Sequence, residues 1–336
     1  MAEIVLGMWT SHGPTLSTTP EQWAIRLNAD RGRLHPFRGS QYSFDDLAEL
    51  RRGENLGAKS SLEERRRNHA LCQQALGDMA EIFAEAKPDA AIIFGNDQRE
   101  LFLEDVTPAM TVFAGETMWD QPATPGQAAK MAPGIHEAEA GHSPPERRDY
   151  PAFAAMAEHV CKSVVADGFD IAVSKRLPEP ADHWSSGAPH AFGFVYRQIM
   201  RDQVIPHVPI IINTFFPPNQ PTARRCFEFG RAVGRALSQW KGAERLAVFG
   251  SGGMSHFTID ERFDRDFLEA IANRDGEALS RIDDGLLQSG TSELKTWICA
   301  AGVLFDTPLD GDVVGYVPCY RSEAGTGTAN GFVAWR

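Results

Sequence analysis

Positive charge is under-represented in this 336-residue chain: 33 Lys and Arg stand against 45 Asp and Glu, a formal net charge of −12. That balance argues against nucleic acid or an anionic membrane surface as the main partner. Cysteine is also scarce. Cys72, Cys161, Cys226, Cys299 and Cys319 are odd in number and lack paired spacing, which points to reduced structural thiols and a cytoplasmic protein. The N-terminus has no basic stretch followed by an apolar one, so no signal peptide is expected. No apolar run approaches the roughly 20 residues that span a bilayer. Also absent are the Gly-x-Gly-x-x-Gly fingerprint, a P-loop lysine, a Gly-x-Ser-x-Gly elbow and a His-Glu-x-x-His helix. No internal repeat is found.

What remains is ordinary globular composition, 43% hydrophobic and 23% charged, with ample length for a core. Short β-rich apolar runs alternate with helical patterns. This predicts an α/β fold: a single domain over residues 1–336, with a mainly parallel or mixed central sheet flanked by helices. The clearest helix opens at Ser61, where Ser61-Leu62-Glu63-Glu64 reads as a capping box, and runs to about Ala86. Leu71, Ala75, Met79 and Ile82 are its expected apolar face. Residues 31–60 are too long and irregular for a simple connection and read as an inserted flap. Residues 119–148 read as a surface excursion, and a Gly-rich tail is expected from about residue 316.

Three places share one profile, an apolar run that ends abruptly in polar residues: 4–12, 91–100 and 246–256. Such runs suit buried parallel strands, and ligands bind at the carboxyl edge of such sheets. His12 lies just beyond the first run. Residues 250–256, Gly-Ser-Gly-Gly-Met-Ser-His, have the glycines of a phosphate cradle without its spacing. Glu293 lies in the first turn of a late helix, where a carboxylate favours the dipole. With histidines from other loops it could instead complete a two-histidine, one-carboxylate iron face.

Ser11-His12, the Gly-Gly-Met-Ser-His element at 252–256, and Ser-Gly-Thr-Ser-Glu-Leu-x-x-Trp at 289–297 together resemble the LigB-type class III extradiol ring-cleaving dioxygenases. Protocatechuate 4,5-dioxygenase β subunits and the gallate and 3-O-methylgallate dioxygenases belong to that family. The likeness runs from Met1 to about Ala301. It implies Fe(II), a catechol-type aromatic acid and O2 as substrates, and the possibility of a homodimer. Its metal ligands fall on His12 and Glu293. The second family histidine, in an Asn-Asp-His turn, is replaced here by Gln98. Gln98 itself, His35 and then His69 are the candidates for the missing ligand. For the catalytic histidine, His190 competes with His183 of the Asp182-His183 pair, and His190 is preferred because a helix begins directly after it. Tyr150 stands where the family has a second histidine near the site, and His256 is expected to contact substrate. Arg176, Arg224, Arg225 and Arg321 are candidates for a substrate carboxylate, and Trp9, Phe192 and Phe215 for an aromatic wall. Two other readings use the same pocket: a binding or regulatory relative without redox chemistry, and a metal-dependent hydrolase.

Overall fold

Four parallel strands make the middle of a nine-stranded mixed sheet in the computed structural model, which describes residues 2–178 and 183–336. Asp182 lies outside the described residues. In chain order the strands are β1 (Glu3–Thr10), β2 (Ala90–Asn96), β3 (Met110–Phe113), β4 (Ala172–Ser174), β5 (His207–Ile212), β6 (Arg245–Ser251), β7 (His256–Thr258), β8 (Gly311–Tyr320) and β9 (Thr326–Trp335). Their spatial order is β7-β9-β1-β6-β2-β5-β3-β4, with β8 paired along β9. β1, β6, β2 and β5 run parallel; β9 joins β1 antiparallel, and β3 joins β5 antiparallel.

Side chains alternate between two cores, as strand geometry requires. Along β2, Ala90, Ile92 and Phe94 face one core, and Ala91 and Ile93 the other. The first core is closed by α2 (Ala154–Ala166), α4 (Ala223–Gln239), α5 (Glu261–Ala272) and α6 (Leu294–Leu304). The second is closed by α1 (Leu62–Ala86) and α3 (His190–Phe194). Ser61 caps α1 as expected, its hydroxyl accepting the Glu64 N–H at 3.3 Å. The buried stripe of α1 is Cys72, Ala75, Leu76, Met79 and Phe83, and Leu71 is exposed. The expected face was therefore set slightly off the true one, because Cys72 buries as an apolar residue. All five cysteines are buried free thiols. No helix among the described residues is long and apolar enough to cross a membrane.

Two segments are more ordered than their composition suggests. The expected Gly-rich tail is the β8–β9 ribbon, and all ten residues of β9 are buried. Small residues there suit a strand covered on both faces. Residues 31–60 hold a hairpin, His35–Phe37 with Ser40–Tyr42, followed by a helix, Phe44–Leu50, capped by Ser43. Phe37, Phe44 and Leu47 form a small core with Ala324 of the β8–β9 turn. A buried carboxylate clamps this segment down: Asp30 accepts from Arg321 Nε and Nη2, from Arg33 at 2.9 Å and from Thr326 Oγ1 at 2.8 Å. Burial alone would raise the Asp30 carboxyl, but Arg321 holds it below its ordinary value. Asp30→Ala would strand two guanidinium groups, and a loss of about 3–5 kcal/mol in urea denaturation is expected. The Asp30 contribution is present above the ordinary carboxylate pKa and fades as pH falls through the depressed one, so the difference should shrink in acid.

Candidate active site

The carboxyl ends of β1, β6 and β2 open on one side of the sheet, and the start of α6 faces them. Each end delivers a polar group: His12 after β1, Ser251 at the end of β6, Asn96 and Gln98 at and after β2. Glu293 comes from the tight turn Ser289–Glu293 that leads into α6. These groups meet at one end of a cavity of about 390 Å³, whose wall includes Trp23, Arg26, Met131, Ile135 and Phe257. The size suits a small ligand.

Glu293 is the hub. Its Oε2 accepts the Gly253 N–H at 2.8 Å and lies 3.0 Å from His12 Nε2 and 3.6 Å from His256 Nε2. Its Oε1 accepts from Asn96 Nδ2 and Gln98 Nε2, each at 3.2 Å. Burial opposes its charge, and positive charge at the His12 and His256 positions holds it well below the usual carboxylate range. Ser251 Oγ donates to the Ala191 carbonyl at 2.6 Å, so it can only accept from His12 Nδ1–H, 2.9 Å away. His12 Nε2 then carries the lone pair in the neutral ring. Two acceptors thus face each other, and a proton or a cation must lie between them. Burial pushes His12 below its ordinary pKa, more than Glu293 raises it, which disfavours the proton.

His256 is fixed by a comparable device. Its Nδ1 donates to the Met254 carbonyl at 2.8 Å, which turns Nε2 toward Glu293. Glycine makes room for the ring: a Cβ at Gly253 would come within 2.4 Å of it, and one at Gly290 within 2.0 Å. The Gly-Gly-Met-Ser-His element therefore builds an imidazole slot and not a phosphate cradle.

His190, which also lines the cavity, starts α3 and meets His12 edge-on, ring centroids 4.6 Å apart. Glu100 holds it twice, accepting its backbone N–H at 2.9 Å and its Nδ1–H at 2.8 Å. Burial works against an imidazolium here, but the charge and hydrogen bond of Glu100 prevail and push His190 up to about 9. Glu100 is correspondingly lowered, against burial, by His190. Asp97 shapes this loop by accepting the N–H groups of Glu100, Leu101 and Phe102 at 2.9, 2.9 and 3.0 Å. His142 stands 5.9 Å from His190 and is lowered to about 3, by burial and then by His190.

His12, His190 and Glu293 each offer an atom within 4.8 Å of the others, a donor set able to hold a metal ion. Two imidazoles and a carboxylate suit a first-row metal such as iron. Gln98 adds an amide at the same edge, and Asn96 Oδ1 is buried without a hydrogen-bond partner among the described residues.

Other expected residues lie elsewhere. His35 is buried in the inserted segment, its Nε2 2.7 Å from the Asp30 carbonyl, and does not line the cavity. The short hairpin at residues 35–42 carries it into that local fold, away from the sheet edge. His69, on α1, packs against Trp23 outside the lining. His183 contacts the Arg99 carbonyl and is not in the lining, whereas its neighbour Trp184 is. Tyr150 is buried against Tyr196, ring centroids 4.7 Å apart, and does not reach the cavity because its short strand pairs with residues 117–120. Trp9 is tied to the Trp297 carbonyl at 2.9 Å in the core, Phe192 packs beneath Gly95, and Phe215 stacks on Phe216. Of the four arginines considered, only Arg321 lines the cavity; Arg224 is engaged with Glu228 and Arg225 with Phe169. Glu100 and His142 are the functional candidates that motif reading passed over.

A family profile for the catalytic LigB subunit of aromatic ring-opening dioxygenase matches residues 72–327. Gallate dioxygenase of Pseudomonas putida is 28% identical over 182 residues, which are 50% of this chain and 50% of that protein. The 2,3-dihydroxyphenylpropionate/2,3-dihydroxicinnamic acid 1,2-dioxygenase of Rhodococcus globerulus is 29% identical over 186 residues, 54% of this chain and 48% of its own length. The chain spans about half the length of the curated relatives it matches. The profile covers well over half of the chain, including every strand end that feeds the cavity except that of β1, and the chain belongs to the LigB family of aromatic ring-opening dioxygenase catalytic subunits.

Proposed function

We propose that this chain is a non-haem Fe(II)-dependent extradiol dioxygenase that opens the ring of a catechol-type aromatic acid with O2, acting in the cytoplasm. The observation that carries the reading is the opposition of His12 Nε2 and Glu293 Oε2, two buried acceptors 3.0 Å apart with His190 beside them. Family membership and the ring-cleaving relatives support it. His12 and Glu293 would hold the iron, with Gln98 as an uncharged third donor. Bound iron supplies Lewis acidity and the redox chemistry that lets a catecholate react with O2.

The chain's own residues account for the proton traffic. Glu100 accepts His190 Nδ1–H, so Nε2 is the ring atom that exchanges a proton with the substrate: without metal Glu100 keeps the ring protonated, and a cation held by His12 and Glu293 would lower it toward the neutral form that takes a phenolic proton and later returns one. His142, neutral across the physiological range, adds no competing charge beside it. Trp23, Met131, Ile135 and Phe257 give an apolar wall suited to an aromatic ring. His256, held in its glycine slot, faces the cavity as a substrate contact.

The test is oxygen uptake by anaerobically purified, iron-replete protein with protocatechuate, gallate, 3-O-methylgallate and 2,3-dihydroxyphenylpropionate. No uptake with any of them overturns the reading. One residue favours a second reading, a relative that binds catechols without oxidising them: Gln98, an amide bonded to Glu293 where the family places an imidazole. Iron stoichiometry separates the roles. Gln98→Ala should lower iron affinity, whereas His190→Ala should keep iron and lose turnover, and His35→Ala should keep both. Loss of iron in His190→Ala with retention in Gln98→Ala would instead make His190 the third ligand.

A further inference from the structure

The cavity also has cationic groups in its wall. Arg26, Lys130 and Arg321 line it. Arg321 is committed: its guanidinium donates to Asp30, which also accepts from Arg33 at 2.9 Å. One carboxylate therefore serves Arg321, Arg33 and Thr326. Among the described residues Arg26 has no carboxylate partner of this kind. Its only hydrogen bond among the described residues is a long one, 3.5 Å, to the Pro133 carbonyl, and no carboxylate among them lies within ion-pair distance. Its stem packs on Gly134, so the head is held at the cavity wall. Phe257, also in the wall, lies near two guanidinium groups, 5.6 Å from that of Arg26 and 4.1 Å from that of Arg33.

We infer that Arg26 is the anchor for the carboxylate of an aromatic acid, with its ring lying against Phe257 and its dihydroxylated edge at His12 and Glu293. A guanidinium suits this task because its planar fork matches a carboxylate. Three cations around one carboxylate leave this corner with excess positive charge, and a bound anion relieves it. Burial, then repulsion from Arg321 and Arg33, lowers Arg26 to about 10, the behaviour of a cation short of a counter-ion. Asp30 has a double part, since by engaging the hydrogen bonds of Arg321 and Arg33 it leaves Arg26 as the guanidinium that addresses the ligand. The inference rests on the reading of the cavity as a ring-cleaving site and adds what selects the substrate.

The experiment compares acid with ester. Binding of 3,4-dihydroxybenzoate and 3-(2,3-dihydroxyphenyl)propionate, and of their methyl esters, is measured by calorimetry under nitrogen on iron-loaded wild type, Arg26→Gln and Arg26→Lys. Melting temperatures check that the variants fold. Wild type should prefer at least one acid to its ester. Arg26→Gln should weaken that acid by about 10- to 100-fold, the loss expected for a charge-assisted hydrogen bond, and erase the preference. Arg26→Lys should restore part of it. Equal affinity of acid and ester in wild type, no binding of either acid, or undiminished acid binding in Arg26→Gln would overturn the assignment. Oxygen uptake on the same samples keeps the two claims apart. Acid preference that depends on Arg26 without uptake retains the anion site and removes the dioxygenase. Uptake with an acid whose affinity ignores Arg26 does the reverse.

Discussion

Glu293→Gln should leave a folded protein that neither retains ferrous iron nor consumes oxygen with a catechol. The substitution keeps the shape of the side chain and an oxygen for the Gly253 N–H, and removes the charge that two imidazoles face. An outer-shell partner of a metal ligand is worth about 10–100-fold in affinity or activity, so loss of a ligand charge should exceed ~100-fold in both. Stability provides an independent readout. Iron that binds only the native state raises the melting temperature, and this increment should vanish in the variant. Iron at wild-type stoichiometry in Glu293→Gln would show that the carboxylate is not a ligand.

The parts of this centre that could be read from sequence were those built from strand ends. A fully apolar run such as 91–94 has few solutions besides a strand buried on both faces, and β2 is buried along its whole length. The polar residues that follow it must then emerge at the sheet edge, which brought His12 and the stretch holding Gln98 into view; Glu293, at the start of a helix, was joined to them by the family resemblance. His190 was preferred to His183 because a helix begins directly after it, and the described helix starts there. What could not be read was partnership across loops. Glu100 closes the stretch that holds Gln98, yet nothing in its spacing reveals that it reaches a histidine 90 positions later. His142 lies in a segment with no periodic pattern, and only the packing of that segment over the cavity shows its place. His35 failed as a ligand candidate for the same reason in reverse: local hairpin chemistry holds it near Asp30, at a distance sequence cannot measure. The C-terminal ribbon was obscured by its composition, since glycine and alanine suggest a loose tail until both faces are seen to be covered.

Glu100 itself carries the second large effect. Glu100→Gln preserves a carbonyl oxygen for the His190 backbone N–H and removes the charge that holds Nδ1–H in place. Turnover should fall by about 10²-fold or more, the lower range for a positioned general base, with KM changed far less. Iron content should be unchanged, which distinguishes this residue from Glu293. In metal-free protein the pair also leaves a pH signature whose sign follows from the two shifts. His190 is raised from its ordinary 6.5 to about 9, so its contribution is complete below about 6.5 and is lost as pH rises through about 9. Glu100 is lowered from its ordinary 4.5, so its contribution is present above 4.5 and is lost as pH falls through the depressed value. The stability advantage of wild type over Glu100→Gln should therefore be greatest between about pH 4.5 and 6.5 and decline toward pH 9 and beyond. Asp97, raised to about 7 by burial and then by Glu100, titrates inside that decline. A double-mutant cycle with His190→Asn removes its share, because Asp97 feels Glu100 whether or not the imidazole is present. A coupling energy that does not change between pH 6 and pH 10 would mean that Glu100 holds His190 by shape alone, and the assignment of His190 Nε2 as the proton acceptor would lose its electrostatic basis.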